Sequence, residues 1–409
     1  MRAADRWWEI LRPAVTGLAA AVLVALIAGV LAGHLAIWRN TVVDRDAQDF
    51  GIFLTSARHD LAGQSLYTPW RLRQSAGRMR TAPLNLNLPH TMLLVLPLAR
   101  FTDHVALAVW VSVGLLLGIG ASLASVRALG WPIRLLPALT VLLYLLAWAP
   151  SAAFTLTVQI SFFVMAPVCA AWLAYRRGER MHAGVWLGIA AAMKPFLLLF
   201  VPYLALDRQW RALVAMLTVI TIAVGVGAAV FGPAAYAEWF GQLPRITWSA
   251  HYMNASFMGA MQRAFGETGF TPITRAPALV APVTVCLALI VGAVTLTRVT
   301  RARPEPVRTD GDFAVLLLAA LLMSPLGWNY YLWIAVWPVA ALLAHHAPWR
   351  HPARRDLWLV TGLGGWLWWA AMITWGQPHV LGTLTAASLY FWALLSLWIW
   401  TLGALRRAS

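Results

Sequence analysis

The chain has 409 residues, of which 61% are hydrophobic and only 11% are charged. A soluble domain carries about 25% charged residues, so this composition excludes a soluble globular protein and predicts a polytopic membrane protein. The formal net charge of +16 could suit nucleic acid, but the arginines cluster in short connections between apolar runs, as they do in cytoplasmic loops. We therefore expect no nucleic-acid partner, and we treat residues 1–409 as a single membrane domain.

Twelve apolar runs divide the chain and predict an all-α fold of about 12 transmembrane helices. Arginines flank both ends of the sequence, which places both termini in the cytoplasm. The longer polar stretches 38–88 and 232–277 are then external loops. The runs lie at 14–37, 88–100, 105–126, 132–149, 157–175, 182–206, 211–231, 279–298, 311–325, 329–346, 357–375 and 383–404.

The segment 150–206 does not fit this count. Twelve spans place Arg176, Arg177 and Arg180 outside, although arginines favour the cytoplasmic side. A break at Pro195 would move them inside, because proline interrupts a helix, but each half is short for a crossing. The run 88–100 would then be re-entrant. The sequence leaves both topologies open, but in either one it predicts that Pro195 breaks a helix beside Lys194.

The first external loop opens with three carboxylates, Asp44, Asp46 and Asp49. From Asp49 to Leu61 the apolar side chains recur at helical spacing, which predicts an amphipathic juxtamembrane helix on the membrane surface, ended by Gly63. A carboxylate beside a membrane span is costly and usually has a role. Asp49 can take a proton from an acceptor hydroxyl as a general base, or it can cap the start of this helix.

Four further polar positions have two interpretations each. Lys194 is the only lysine in the chain and lies inside an apolar run, where it can meet a phosphate or form a salt bridge with a loop carboxylate. Gln159 can line a polar pocket or bond between helices. Arg71 and Arg73, in an irregular stretch that starts at Tyr67, can hold a phosphate or attract anionic lipid head groups.

Other motifs lie in the second external loop and near the outer ends of the runs. Asn254 and Ser256 can contact substrate or cap a helix. The stretch from Ser324 to Tyr331 is rich in aromatic side chains, which suit sugar stacking and equally an interfacial aromatic belt. No spacing of histidine or cysteine is typical of a metal site, so we expect no metal ion and no cofactor.

In this order the motifs resemble those of family 87 glycosyltransferases. These are bacterial polyprenyl-phosphate-dependent enzymes of the GT-C superfamily, and they include mycobacterial mannosyltransferases. The matching stretches are Asp49-Phe50 through Gly63 to Leu66-Tyr67, Asn85 to His90, Ala183-Gly184 through Lys194-Pro195, Asn254 to Ser256, and Ser324-Pro325 with Trp328.

The resemblance implies a GT-C enzyme of cell-envelope glycolipid biosynthesis, with its active site on the outer face of the bacterial cytoplasmic membrane. It would transfer mannose, or a related hexose or pentose, from polyprenyl phosphate to a lipid or glycan acceptor, with inversion and with Asp49 as general base. Where many relatives have paired histidines, this chain has Asn329-Tyr330-Tyr331. The candidate substrate-binding residues are Asn87, His90, Gln159, Lys194, Asn254, Ser256, Trp328, Asn329, Tyr330, Tyr331, Arg71 and Arg73.

Two other classes of protein remain as alternatives. A transporter or flippase of lipid-linked sugars would use the same basic cavity without a general base, although no pair of matching halves is visible in the sequence. A structural subunit of an envelope complex would leave the long external loop unexplained. We expect membrane lipids as partners and a monomeric protein.

Overall fold

The computed structural model describes residues 3–39, 48–73, 79–81, 84–130, 134–266, 274–299, 307–346 and 387–407. These residues are almost entirely helical. The α-helices are α1 (Ala3–Trp38), α2 (Gln48–Leu61), α3 (Asp103–Ala128), α4 (Leu135–Ala147), α5 (Ala149–Thr157), α6 (Ser161–Arg176), α7 (Arg180–Met193), α8 (Phe200–Leu206), α9 (Trp210–Phe231), α10 (Ala234–Gln242), α11 (Phe257–Phe265), α12 (Pro277–Val299), α13 (Val307–Met323), α14 (Val336–His346) and α15 (Leu389–Arg407). Short 3₁₀ helices occur at Pro89–Leu94, Leu96–Arg100, Pro195–Leu199, Leu243–Arg245 and Asn329–Ala335.

Four helices among the described residues are long and apolar enough to cross a membrane. They are the stretch Pro13–Ala36 of α1, and α3, α9 and α12. Shorter apolar helices, including α6 and α15, accompany them. The protein is therefore a helical membrane protein. The run 357–375 lies outside the described residues, so the total of twelve spans stays a prediction.

The run 88–100 does not form the continuous helix that was counted from hydropathy as one span. It forms two 3₁₀ helices, Pro89–Leu94 and Leu96–Arg100, each with a proline at its start. At about 2.0 Å per residue the whole segment reaches roughly 24 Å, less than the hydrocarbon core of about 30 Å. This run is therefore not a membrane-spanning α-helix.

The run 182–206 is broken where the sequence predicted. Helix α7 ends at Met193, Lys194 is extended (φ −139°, ψ 102°), and a 3₁₀ helix begins at Pro195. Proline has no amide hydrogen to continue the helical bonding, and it pushes the preceding residue towards extended backbone. The prediction of a break at this pair is confirmed.

Beyond the break the chain folds back. Gly184 of α7 packs directly on the backbone of Ala212 in α9, and Gly188 packs on Met216. The contacts advance by four residues along both helices, so α7 and α9 lie side by side and run in the same direction. The segment 195–206 between them must therefore return across the bundle, and 182–206 is two limbs instead of one span.

Ion pairs show which loops share one end of the bundle. Arg176 Nη1 lies 3.0 Å from Asp310 Oδ1, and Arg308 pairs with Asp207. The end of α6, the end of α8 and the start of α13 therefore lie together, at what we call the ion-pair end. In the topology predicted from the sequence the loop 298–308 is cytoplasmic, and Arg176 would then lie on the same side, which the charge rule favours.

Helix α13 forms the centre of the core. All its side chains from Thr309 to Leu322 are buried, because other helices pack around it. Helices α6, α12, α14 and α15 all contact it. A rigid central helix of this kind holds the residues at both of its ends in fixed positions.

The predicted amphipathic helix after Asp49 forms as α2. Its apolar face, however, packs against the chain's own helices, which corrects the expectation of a helix lying on the membrane surface. The ring of Phe50 stacks on Trp110 of α3 with centroids 5.4 Å apart, and Phe53 meets the same indole edge-on. Gly63 follows the helix with a φ of +74°, a conformation that suits glycine.

The stretch predicted as irregular after Tyr67 contains a small ribbon. Strands β1 (Arg71–Arg73) and β2 (Met79–Thr81) pair antiparallel, with Arg71 opposite Thr81. The expectation of irregular backbone is therefore wrong for these two segments.

Candidate active site

A cavity of about 510 Å³ lies at the end of the bundle opposite the ion-pair end. Gln159, just before α6, lines it, whereas Arg176 ends the same helix some 24 Å away at 1.5 Å per residue. The cavity brings together seven of the residues predicted from the sequence. They are Asp49, Asn87, Gln159, Lys194, Trp328, Tyr330 and Tyr331.

Asp49 reaches the cavity from the first turn of α2. The neighbouring Phe50 anchors this turn against Trp110. Gln159 Nε2 donates a hydrogen bond to Asp49 Oδ2 at 2.5 Å. Within the described residues, the carboxylate accepts no hydrogen bond from an amide of α2. The geometry therefore points the carboxylate into the cavity and away from a capping position.

The environment of Asp49 raises its pKa. Burial is the main cause and brings the pKa to about 6, while the Gln159 hydrogen bond and the Lys194 charge each act to lower it. Helix α2 is not one of the membrane-spanning helices. A carboxyl group that titrates close to neutral pH can accept a proton from a hydroxyl more readily than an ordinary aspartate.

Lys194 enters the cavity because the helix breaks at this residue. Its Nζ donates to Asn87 Oδ1 at 3.1 Å and lies 5.3 Å from the centre of the Tyr331 ring. Asn85 Oδ1 accepts from the Asn87 amide groups and fixes its orientation. Lys194 makes no ion pair with any described carboxylate, so its ammonium can bind an anion that enters the cavity.

The aromatic wall of the cavity is held by a short backbone pairing. Ala255 N donates to Gly327 O at 2.8 Å, and Asn329 N donates to Met253 O at 2.9 Å. This pairing fixes Trp328 between them. Tyr330 and Tyr331 follow in the 3₁₀ helix Asn329–Ala335 and meet edge-on with ring centroids 4.8 Å apart. Such rings offer flat apolar faces beside polar groups, which suits contact with a sugar.

Among the predicted residues, His90 lies outside the cavity lining. Its Nε2 donates to Ala192 O at 2.7 Å, and its Nδ1 lies 2.9 Å from Tyr236 Oη. Both ring nitrogens therefore have partners within the protein. In the structure this histidine joins the segment 89–94 to the end of α7 and to α10.

Asn254, Ser256 and Asn329 are also buried away from the lining. Asn254 Nδ2 donates to Pro325 O at 3.1 Å, and its Oδ1 accepts from Ser256 Oγ at 2.8 Å. Ser256 Oγ in turn accepts from Gly259 N at the start of α11. The helix-cap interpretation of Ser256 is confirmed. These groups support the loop that carries Trp328.

Four predicted residues cannot be placed at the cavity. Arg71 and Arg73 form strand β1, and their side chains are outside the described part of the structure. Asp44 and Asp46 lie outside the described residues altogether.

Sequence reasoning missed two tryptophans, Trp239 and Trp248, which also line the cavity. Trp239 Nε1 donates to Leu86 O at 3.0 Å, so its indole is tied to the loop that carries Asn87. The available signal was two tryptophans within the second polar loop, 232–277. Tryptophans at the ends of apolar runs are common in membrane proteins, which is why that signal was weak.

Among the described residues, no group of three or more histidine, cysteine or carboxylate side chains is arranged to hold a metal ion.

Comparisons with known proteins identify the family. Neither curated proteins nor solved structures gave a match. The family model of glycosyltransferase family 87 matches residues 86–325, a range that includes Gln159 and Lys194 but begins after Asp49. Because this match covers more than half of the chain, the protein belongs to glycosyltransferase family 87 and is a membrane glycosyltransferase.

Proposed function

We propose that this protein transfers a sugar from a polyprenyl-phosphate carrier to a hydroxyl group of a lipid or glycan acceptor, with inversion at the anomeric carbon. The sugar is mannose or a related hexose or pentose. The observation that carries the proposal is the presence in the same cavity of the carboxylate of Asp49 and the ammonium of Lys194, which has no ion-pair partner among the described residues. A base for the acceptor and a cation for the donor phosphate are the two charges that this reaction needs.

In the proposed reaction the acceptor oxygen attacks the anomeric carbon from the face opposite the phosphate. A new C–O bond forms, the bond between the anomeric carbon and the phosphate oxygen breaks, and its electron pair leaves with polyprenyl phosphate. Asp49 takes the proton of the acceptor hydroxyl, a step that contributes about 10²–10⁴-fold in typical enzymes. Lys194 stabilises the negative charge that grows on the leaving phosphate. The scheme uses no metal ion and no cofactor.

The remaining lining supports a substrate that is part lipid and part sugar. Leu199, Leu243 and Met323 give the cavity apolar surface that suits an isoprenoid chain. Trp239 and Trp328 supply indole faces that suit a sugar ring.

We further propose a GT-C fold and a site that faces the exterior of the bacterial cytoplasmic membrane. The support for this orientation is the position of Arg176 and Arg308 at the opposite end of the bundle, because arginine-rich ends favour the cytoplasm. The protein acts as a monomer in membrane lipid in this proposal.

The test is transfer of radiolabelled mannose from polyprenyl phosphate by the purified protein in detergent with native lipid extract. Wild type, Asp49→Asn and the control Asp60→Asn would be compared. Asp60 is on the same helix but outside the cavity lining, so its substitution should leave the activity unchanged. We expect a labelled lipid or glycan product with wild type and Asp60→Asn, and at least a 100-fold lower rate with Asp49→Asn.

The other outcomes separate the parts of the proposal. Equal product from wild type and Asp49→Asn would overturn the assignment of the base. If no labelled polyprenyl-phosphate sugar, whether hexose or pentose, gave product, the donor class would be wrong. Movement of the labelled donor across vesicle membranes without product would favour the transporter alternative.

A further inference from the structure

Gln159 lies in an unusual turn between α5 and α6. The residue before it, Val158, has a φ of +50° and a ψ of 43°, in the left-handed region. A β-branched side chain is rarely found there, because its methyl groups crowd the backbone. Such strain persists only where the surrounding structure holds it, and it occurs most often at functional sites.

Two contacts hold this strained turn. Val158 N donates to Phe154 O at 2.8 Å, and Trp110 Nε1 donates to Val158 O at 3.2 Å. Trp110 also stacks on Phe50, which is the residue that follows Asp49 in the sequence. One indole therefore positions both partners of the hydrogen bond between Gln159 and Asp49.

The partners of Gln159 determine how its amide is oriented. Its Nε2 faces Asp49 Oδ2 at 2.5 Å, and its Oε1 accepts a weak hydrogen bond from Tyr331 Oη at 3.4 Å. An ionised carboxylate only accepts hydrogen bonds, so the reversed amide would set two acceptors against each other. Gln159 is 8% exposed and is thus shielded from competing water.

We propose that Gln159 is a positioning residue that binds Asp49 through Oδ2, keeps it ionised, and leaves Oδ1 as the atom that takes the acceptor proton. This inference rests on the proposed function and replaces the sequence-based interpretation of Gln159 as a substrate contact. A hydrogen bond to the charged form of a carboxyl group favours that form. The hydrogen bond from Gln159 therefore lowers the pKa of Asp49, whereas burial raises it.

Other groups around Asp49 also affect its ionisation. Lys194, at the end of α7, favours the carboxylate through its charge. Tyr330 and Tyr331 interact with it from the 3₁₀ helix Asn329–Ala335, and burial keeps both hydroxyls neutral. Among these described groups, Gln159 is the one that bonds directly to the carboxylate.

The test is the pH dependence of kcat/KM for sugar transfer by Gln159→Leu. We expect the acidic limb of the profile to move to higher pH by about one to two units, the size expected for one hydrogen bond to a charged group. The donor KM should change less than threefold. Gln209→Leu is a matched control, because Gln209 Nε2 donates to Asp207 Oδ2 at 3.2 Å at the ion-pair end. That control should leave the acidic limb in place.

A second variant keeps the inference testable if Gln159→Leu does not fold. Gln159→Glu has the same shape and places a second carboxyl group beside Asp49, which should raise the pH of the acidic limb further. An unmoved limb in both variants, or a raised donor KM with an unmoved limb, would overturn the inference. If Asp49→Asn were fully active, the proposed function itself would fail, whereas an inactive Asp49→Asn with an unmoved limb in both Gln159 variants would refute only the role of Gln159.

Discussion

Each end of the bundle contains an aspartate inside the protein, and the two aspartates differ in their hydrogen-bond partners. Asp310 at the ion-pair end is fully buried and receives hydrogen bonds from Trp172 Nε1 at 2.9 Å, Arg176 Nη1 at 3.0 Å and His345 Nε2 at 2.7 Å. Asp49 at the cavity end has one described hydrogen-bond partner, the neutral amide of Gln159.

This difference separates a structural charge from a reactive one. A carboxylate that accepts hydrogen bonds from several side chains of different helices, one of them a cation, holds those helices together. A carboxylate with one amide partner keeps a free oxygen and a raised pKa. Sites of the second kind are where chemistry is expected.

The largest effect should come from Asp310→Asn. The change removes the carboxylate that pairs with Arg176, whose side chain is mostly buried, so we expect a loss of about 3–5 kcal/mol in the free energy of unfolding. Thermal unfolding in detergent measures it. Asp103→Asn removes an exposed ion pair with Arg58 and should cost no more than about 1 kcal/mol. Equal losses in the two variants would contradict the interpretation of Asp310 as a buried structural charge.

Whereas Asp310→Asn should lower the free energy of unfolding, Asp49→Asn should raise it at neutral pH. The pKa of Asp49 in the folded protein, about 6, lies above its ordinary value of 3.8, so ionisation disfavours the folded state. Wild type should therefore lose stability relative to the variant as pH rises from about 4 to 6, by up to roughly 3 kcal/mol. Unfolding temperatures of both proteins across this range provide the measurement. A variant less stable than wild type at about pH 7.5 would show that Asp49 is a structural charge like Asp310.

A smaller effect is expected when the cation of the cavity is removed. Lys194→Met should raise the donor KM by about 10–100-fold, because a hydrogen bond between charged groups contributes roughly 1.5–3 kcal/mol. Initial rates at varied donor concentration give this number. Arg177→Met, which removes an exposed charge at the ion-pair end, should leave the donor KM unchanged. An unchanged KM in Lys194→Met would mean that this lysine does not bind the phosphate.

The smallest effect should come from Tyr203→Phe. Its hydroxyl donates to Asp312 Oδ2 at 3.2 Å, while Arg308 Nε also lies 3.6 Å from that carboxylate. Since another donor remains, we expect a loss of only about 1 kcal/mol in unfolding free energy and full transfer activity. A loss as large as that of Asp310→Asn would show that the ion-pair end depends on single contacts.

The sequence predicted the features of this fold that local chemistry determines. The break at Lys194-Pro195 follows from the missing amide of proline, and α2 follows from apolar spacing after Asp49. The cap at Ser256 was one of two interpretations and follows from its hydroxyl at a helix start. Each of these depends on neighbours within a few residues.

The sequence could not predict the partners that make the site work. Gln159 and Asp49 are 110 positions apart, and Arg176 and Asp310 are 134 positions apart. No local pattern connects such pairs, because the packing of whole helices brings them together. The sequence did contain one signal for the ion pairs. Asp310 and Asp312 lie at the start of an apolar run, and charges inside a membrane protein require partners.

The folded-back run 182–206 also bears on how the protein is made. To the insertion machinery this run has the length and hydropathy of one transmembrane segment, although it ends as two limbs with Lys194 between them. The contacts that stabilise the two limbs, Gly184 on Ala212 and Asp207 with Arg308, are formed by residues synthesised later. A nascent chain that stops before Trp210 lacks both contacts, so we expect this region to reach its final orientation only after its downstream neighbours have entered the membrane.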